Sequence, residues 1–201
     1  MTQAHSSLTG ADLHEPKGVG IVDIDLVYVS DGEGSGNWQK LSTAQMSTTD
    51  NPFDANLVHV RDSKAVTTNP QSLTATTWNI RALQTTVTNE LSGASLASSQ
   101  ITLPAGTYFV ESSVPGFACD LHKAKLYNLT SAADQIIGSA AFASSVAPYG
   151  MSHSIIKGKF ELTVASSFEI RHYVSTTSTS VALATGVSAE NYTEVWFWKI
   201  G

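Results

Sequence analysis

Apolar residues in this chain seldom recur at the three-and-four spacing of a helix face. They alternate with polar ones, in runs dominated by Thr, Val, Ser, Tyr and Phe. The pattern predicts strands over 19–30, 57–67, 78–83, 95–103, 107–115, 123–129, 136–142, 152–164, 168–175, 181–185 and 192–200. Turn formers punctuate them, among them Pro104-Ala105-Gly106, Val114-Pro115-Gly116, Tyr149-Gly150 and Thr185-Gly186. Short strands at this spacing predict an all-β chain folded as a β-sandwich or jelly roll.

Two runs show which face is dry. In the first, Tyr108 and Val110 point one way and Phe109 and Glu111 the other; in the second, Phe160, Leu162 and Val164 share a side. The last run differs, with Tyr192, Glu194, Trp196 and Trp198 on one face and Thr193, Val195, Phe197 and Lys199 on the other. A two-layer sandwich covers only one face of each sheet, so the second apolar face needs another partner. Because the chain stops at Gly201, another subunit is the expected cover, with the N-terminal segment as the alternative.

Composition narrows the function. Of 201 residues 42% are apolar, enough for a sizeable core. Only 14% are charged, while 26 Ser and 22 Thr make the polar surface one of hydroxyls. Eleven Lys and Arg against 17 Asp and Glu leave a net charge of −6, which argues against a nucleic-acid partner. A single cysteine, Cys119, allows no internal disulfide. No basic segment followed by an apolar run opens the chain and no 18 consecutive residues are apolar, so neither a classical secretion signal nor membrane insertion is expected.

Residues 1–55 read as an extended N-terminal arm preceding a domain over 56–201, because Gly-rich and polar stretches break any core pattern there. Gly32, Gly34 and Gly36 follow an apolar strand but precede no helix, so a tight hairpin or an arm turn is expected rather than a dinucleotide-binding loop. Asp23, Asp25, Asp31 and Glu33 lack the spacing of a calcium loop. No two of the six histidines stand four apart, and Cys119 with His122 lacks a further ligand or activating group; Cys119 is expected to be a buried small hydrophobe. His153 and His172 fall within predicted strands. No Gly-x-Ser-x-Gly elbow occurs, and the sequons at Asn128 and Asn191 arise easily in so Thr-rich a chain. No catalytic residue, metal or cofactor is expected.

Three segments carry a family resemblance. Ile101-Thr102-Leu103-Pro104-Ala105-Gly106-Thr107-Tyr108-Phe109-Val110, then Ser154-Ile155-Ile156-Lys157-Gly158-Lys159-Phe160-Glu161-Leu162, then the aromatic run 192–200 together resemble the trimeric jelly roll of the C1q and tumour-necrosis-factor superfamily, as it occurs in phage fibres and virion decoration proteins. That resemblance implies a homotrimer whose last strand lies near the threefold axis, with Tyr192, Trp196, Phe197 and Trp198 at the subunit interface. The segments 8–18 and 27–38 look like the N-terminal region of tailed-phage structural proteins. This implies anchoring to a capsid or tail protein through Leu8, Asp12, Leu13, His14, Glu15, Pro16, Lys17 and Trp38.

Together the resemblances imply a non-enzymatic decoration or fibre protein on the virion surface, made in the host cytoplasm, with adhesion to host or environmental glycans as a further role. The alternative is a tail-tip receptor-binding protein using the loops 144–149 and 176–180, both read as small and polar and neither offering the aromatic platform on which a sugar ring stacks. A glycan-cleaving enzyme would need two facing carboxylates, for which Asp120, Glu161, Glu169 and Glu194 are available.

Overall fold

The structure, a computed structural model, describes residues 26–30, 36–40 and 56–201. The chain divides into two units, Met1–Thr48 and Thr49–Gly201. In the first, β1 (Leu26–Ser30) pairs antiparallel with β2 (Gly36–Lys40), Ser30 opposite Gly36 and Tyr28 opposite Trp38. The Gly-rich segment therefore joins two strands of a hairpin, as expected. Of the anchoring residues, Leu8, Asp12, Leu13, His14, Glu15, Pro16 and Lys17 lie outside the described residues; Trp38 lies in β2.

The second unit is a jelly roll, and among its described residues there is no helix. Its strands are β3 (Leu57–Lys64), β4 (Trp78–Ile80), β5 (Thr85–Asn89), β6 (Ser95–Ala97), β7 (Gln100–Leu103), β8 (Gly106–Phe117), β9 (Asp120–Asn128), β10 (Ala133–Ala143), β11 (Met151–Leu162), β12 (Ser166–Val174) and β13 (Glu190–Lys199). One sheet runs β11-β8-β13-β3-β5 and the other β10-β9-β12-β7-β6, with β4 also on β12. Eight strands, β3 and β7 to β13, pass back and forth between the two sheets in the interleaved order of a jelly roll.

Alternation along each strand builds the core. Tyr108, Val110 and Val114 of β8, Ile156, Phe160 and Leu162 of β11, and Val195 and Phe197 of β13 point inward against Ile101, Leu103, Leu126, Phe168 and Ile170 of the other sheet. Phe197 meets Phe160 edge-on at 6.3 Å and Phe168 at 6.4 Å between ring centroids. Val164 lies beyond the end of β11 and is exposed, so it does not join Phe160 and Leu162.

Further expectations change, and Val114-Pro115-Gly116, read as a turn, lies inside β8. The run 95–103 is two strands, because Ser98 (φ 49°) and Ser99 (φ 62°) form a two-residue turn between paired Ala97 and Gln100. The run 181–185 is loop, although Val181 is buried against Leu73, Cys119, Ala143 and Val174. The strand β5, unexpected from its hydroxyl-rich sequence, forms the edge beside β3. In β13 an extra residue bulges between Asn191 and Glu194, shifting the alternation so that Tyr192 leaves the face of Trp196 and Trp198. Tyr192 is 7% exposed and its hydroxyl donates to the Thr68 carbonyl at 2.7 Å.

Truncating Phe197 removes a ring enclosed by both sheets. Phe197→Ala is expected to cost about 3–5 kcal/mol of stability, measured as a lowered urea midpoint at unchanged slope.

Candidate functional site: an aromatic outer face, a buried relay and a loop recess

The outer face of the five-stranded sheet is laid out by register. One row runs Ile155, Ser113, Glu194, Arg61; the next Lys157, Glu111, Trp196, His59; the third Lys159, Phe109, Trp198, Leu57. His59 stacks on Trp196 at 4.7 Å, and Phe109 tilts against Trp198 at 6.1 Å. The charges here answer one another: Lys157 Nζ is 3.2 Å from Glu111, and Glu194 is 3.3 Å from His59 Nε2 and 3.8 Å from Arg61. Burial holds His59 below the usual imidazole value, outweighing the pull of Glu194. Of the four residues expected at a subunit interface, Trp196 and Trp198 lie on this face, whereas Phe197 and Tyr192 are buried in their own chain.

Between the sheets, at the end where β8 meets β9, the interior is polar. Arg81 is fully buried; its Nε and Nη2 donate to Thr193 Oγ1 at 3.0 and 2.7 Å, and Nη1 donates to the Pro115 carbonyl at 3.3 Å. Burial draws its pKa down to about 10, which leaves it cationic at neutral pH. Nη1 also lies 3.5 Å from His172 Nδ1, and a guanidinium has only donors, so that nitrogen presents its lone pair. His172 Nε2 must then carry the proton and donate to His122 Nδ1 at 2.9 Å, and His122 Nε2 donates to Ser152 Oγ at 2.8 Å. One cation thereby sets the tautomer of two neutral imidazoles. Burial first and the Arg81 charge second push His172 down to about 2 and His122 to about 4.

Gly116 makes room for this relay, since a Cβ there would stand 2.8 Å from the His122 ring and 2.9 Å from Cys119 Sγ. Cys119 is buried and its thiol is pushed up to about 11, chiefly by burial, so it packs as a small hydrophobe, as expected. Asp62 is also buried, carries an ion pair to Lys64 at 3.3 Å, and has its pKa raised by burial.

At the same end the loops 144–149 and 176–180 converge on a recess of about 370 Å3 lined by Phe117, Ala118, Ser145, Tyr149 and residues 176–179. The link between them is Asp120, in left-handed backbone (φ 55°) at the start of β9. Its Oδ1 accepts from Ser145 N at 2.9 Å, and its Oδ2 accepts from Ser145 Oγ at 2.7 Å and Thr176 Oγ1 at 2.5 Å. These bonds lower its pKa, the one from Thr176 most. Tyr149 is 61% exposed and its ring sits 5.9 Å from that of Phe117, so the 144–149 loop, expected to lack an aromatic platform, carries one. Asp120 is fully engaged, Glu169 is bound by Arg171 at 3.0 Å, and Glu194 lies on the other sheet.

A second hollow, of about 290 Å3, lies on the outer face of the other sheet between Trp78, Tyr173, Leu121 and Ala140. Lys125 Nζ covers the Trp78 ring at 4.1 Å and is anchored by Asp134 at 2.6 Å.

No protein-family model matches the chain, and no curated protein matches it. Among solved structures, crystal structures of murine APRIL at pH 8.0, 8.5 and 5.0 are similar over 72% of this chain and 98% of their own. The sequence identities are 14, 11 and 13% and the TM-scores 0.46, 0.46 and 0.49.

The relay has a measurable signature. Both imidazoles stay neutral in the folded chain, whereas a free imidazole takes a proton near 6.5, so between about pH 4 and 6.5 the unfolded chain binds more protons. Stability therefore falls as pH drops through that window. The urea midpoint is expected to decrease from about pH 7.5 to about pH 5, and His122→Gln to flatten the decrease. An equal slope in parent and variant would show that His122 takes no part in it.

Proposed function

We propose that this chain is a non-enzymatic phage virion protein: a homotrimeric surface decoration or fibre protein, anchored to a capsid or tail protein by its N-terminal segment. The observation that carries the assembly is the outer face holding Trp196, Trp198, Phe109, Leu57 and Ile155 in adjacent register rows, with Lys157 and Glu111, and Arg61 and Glu194, already paired within the chain. Apolar groups on the outer side of a two-layer sandwich gain by association, and paired charges cost less to bury than lone ones. The anchoring role rests on the likeness of segments 8–18 and 27–38 to tailed-phage structural proteins.

A second reading, a tail-tip receptor-binding protein, is favoured by the recess at the loop end of the sandwich. Both readings place the protein on the particle surface after synthesis in the host cytoplasm, with a host glycan or receptor as the outer partner. Neither requires a cofactor, nucleic acid or membrane insertion.

Light scattering of the full chain is expected to give three times the 21.3 kDa of one chain, and Trp196→Asp to give a folded single chain. A parent of single-chain mass would refute the trimer. Deleting residues 1–51 is expected to leave a soluble trimer that fails to join particles; retained incorporation would refute the anchor.

A further inference from the structure

We infer that the recess bounded by the 144–149 and 176–180 loops is a binding site for a neutral sugar, held through an aromatic wall and a ring of fixed hydroxyls. This deepens the adhesion role proposed above and rests on it. At about 370 Å3 the recess is at the small end of ligand sites, room for one or two sugar rings.

The lining selects by charge. No Lys, Arg, His, Asp or Glu lines the recess, so a phosphate, sulfate or carboxylated sugar would lose its hydration without meeting a cation. An oily ligand would strand hydroxyls in a dry contact, which is also costly.

The hydroxyls are already oriented, and in both senses. Ser145 Oγ and Thr176 Oγ1 donate to Asp120, so these oxygens keep lone pairs to offer, while Ser178 Oγ is buried between the Phe117 and Ser180 carbonyls. Thr177 Oγ1 accepts from Ala75 N at 3.1 Å, which leaves its own proton to give. A ligand that matches such a lining must donate and accept from neighbouring positions without charge, and the vicinal hydroxyls of a pyranose do so. Tyr149, largely exposed and tilted on Phe117, offers a planar face to the C–H side of the ring.

The site is also preformed. Asp120 ties Ser145 to Thr176, and Ala118 N donates to the Gly150 carbonyl at 3.0 Å, so the walls are joined before any ligand arrives. Binding then orders little of the chain, which favours the weak, repeated contacts that a trimer would multiply.

The test is saturation-transfer NMR on the full-length protein with methyl glycosides of glucose, galactose, mannose, rhamnose and N-acetylglucosamine. Glucuronic acid and N-acetylneuraminic acid serve as charged comparisons. At least one neutral glycoside is expected to receive saturation at its ring C–H protons, with the charged sugars silent. Tyr149→Ala and Thr179→Val, both at exposed positions, are expected to weaken that binding at least tenfold while leaving the thermal midpoint unchanged. A neutral sugar bound equally by parent and variants would overturn this site and leave the adhesion role standing. No binding of any neutral glycoside would also overturn it. Labelled protein added to host cells then separates the two ideas, because retained attachment keeps adhesion through another receptor and lost attachment removes both.

Discussion

A permanent positive charge sealed between two sheets organises the polar half of this sandwich. Arg81 reaches Thr193 on β13 and Pro115 on β8, both in one sheet, while its own backbone N donates to Ile170 on β12 in the other at 2.8 Å. It therefore bolts the layers together where the aromatic core gives out. A guanidinium is expensive to bury, and here three oxygen contacts and a ring nitrogen replace its water. Its fixed donors dictate the direction of every hydrogen bond out to Ser152. The attraction of Asp62 adds to this without a direct contact.

The two ends of the molecule consequently differ in kind. Toward Phe160, Phe168 and Phe197 the layers meet through tilted rings, Phe168 of one sheet against Phe160 and Phe197 of the other. Toward Pro115 and Cys119 they meet through directed bonds with a glycine, Gly116, cut to the outline of an imidazole. Loops rooted at that end inherit a rigid floor, and the recess between them is built on it.

Strands with one wet face were legible in the sequence, because burial on a single side imposes the two-residue alternation seen in β8 and β11. Features that depend on non-local partners were not. Ser98-Ser99 lacks the Asn-Gly signature of its turn, and Thr85–Asn89 has too few apolar groups to stand out until β3 lies beside it. Arg81 and Asp62 carry no local signal, since nothing in the adjacent sequence says that a guanidinium will find Thr193, 112 residues away. The recess escaped for the same reason: Tyr149 was in view, but its neighbour Phe117 and the tie through Asp120 come from other segments. Cys119 was read correctly because burial without partners is the ordinary fate of a lone thiol.

The two-sided apolarity of β13 bears on how the chain finds its register. In most half-buried strands a slip by one residue throws apolar groups into water, and that penalty selects the right pairing. Here a slip would exchange Val195 and Phe197 for Trp196 and Trp198, one greasy set for another, so hydrophobicity votes weakly. The deciding marks are the bulge between Asn191 and Glu194 and the single hydroxyl of Thr193 that fits the Arg81 fork. The central strand of the sheet is thus indexed by one bulge and one threonine, like a key cut at two teeth only.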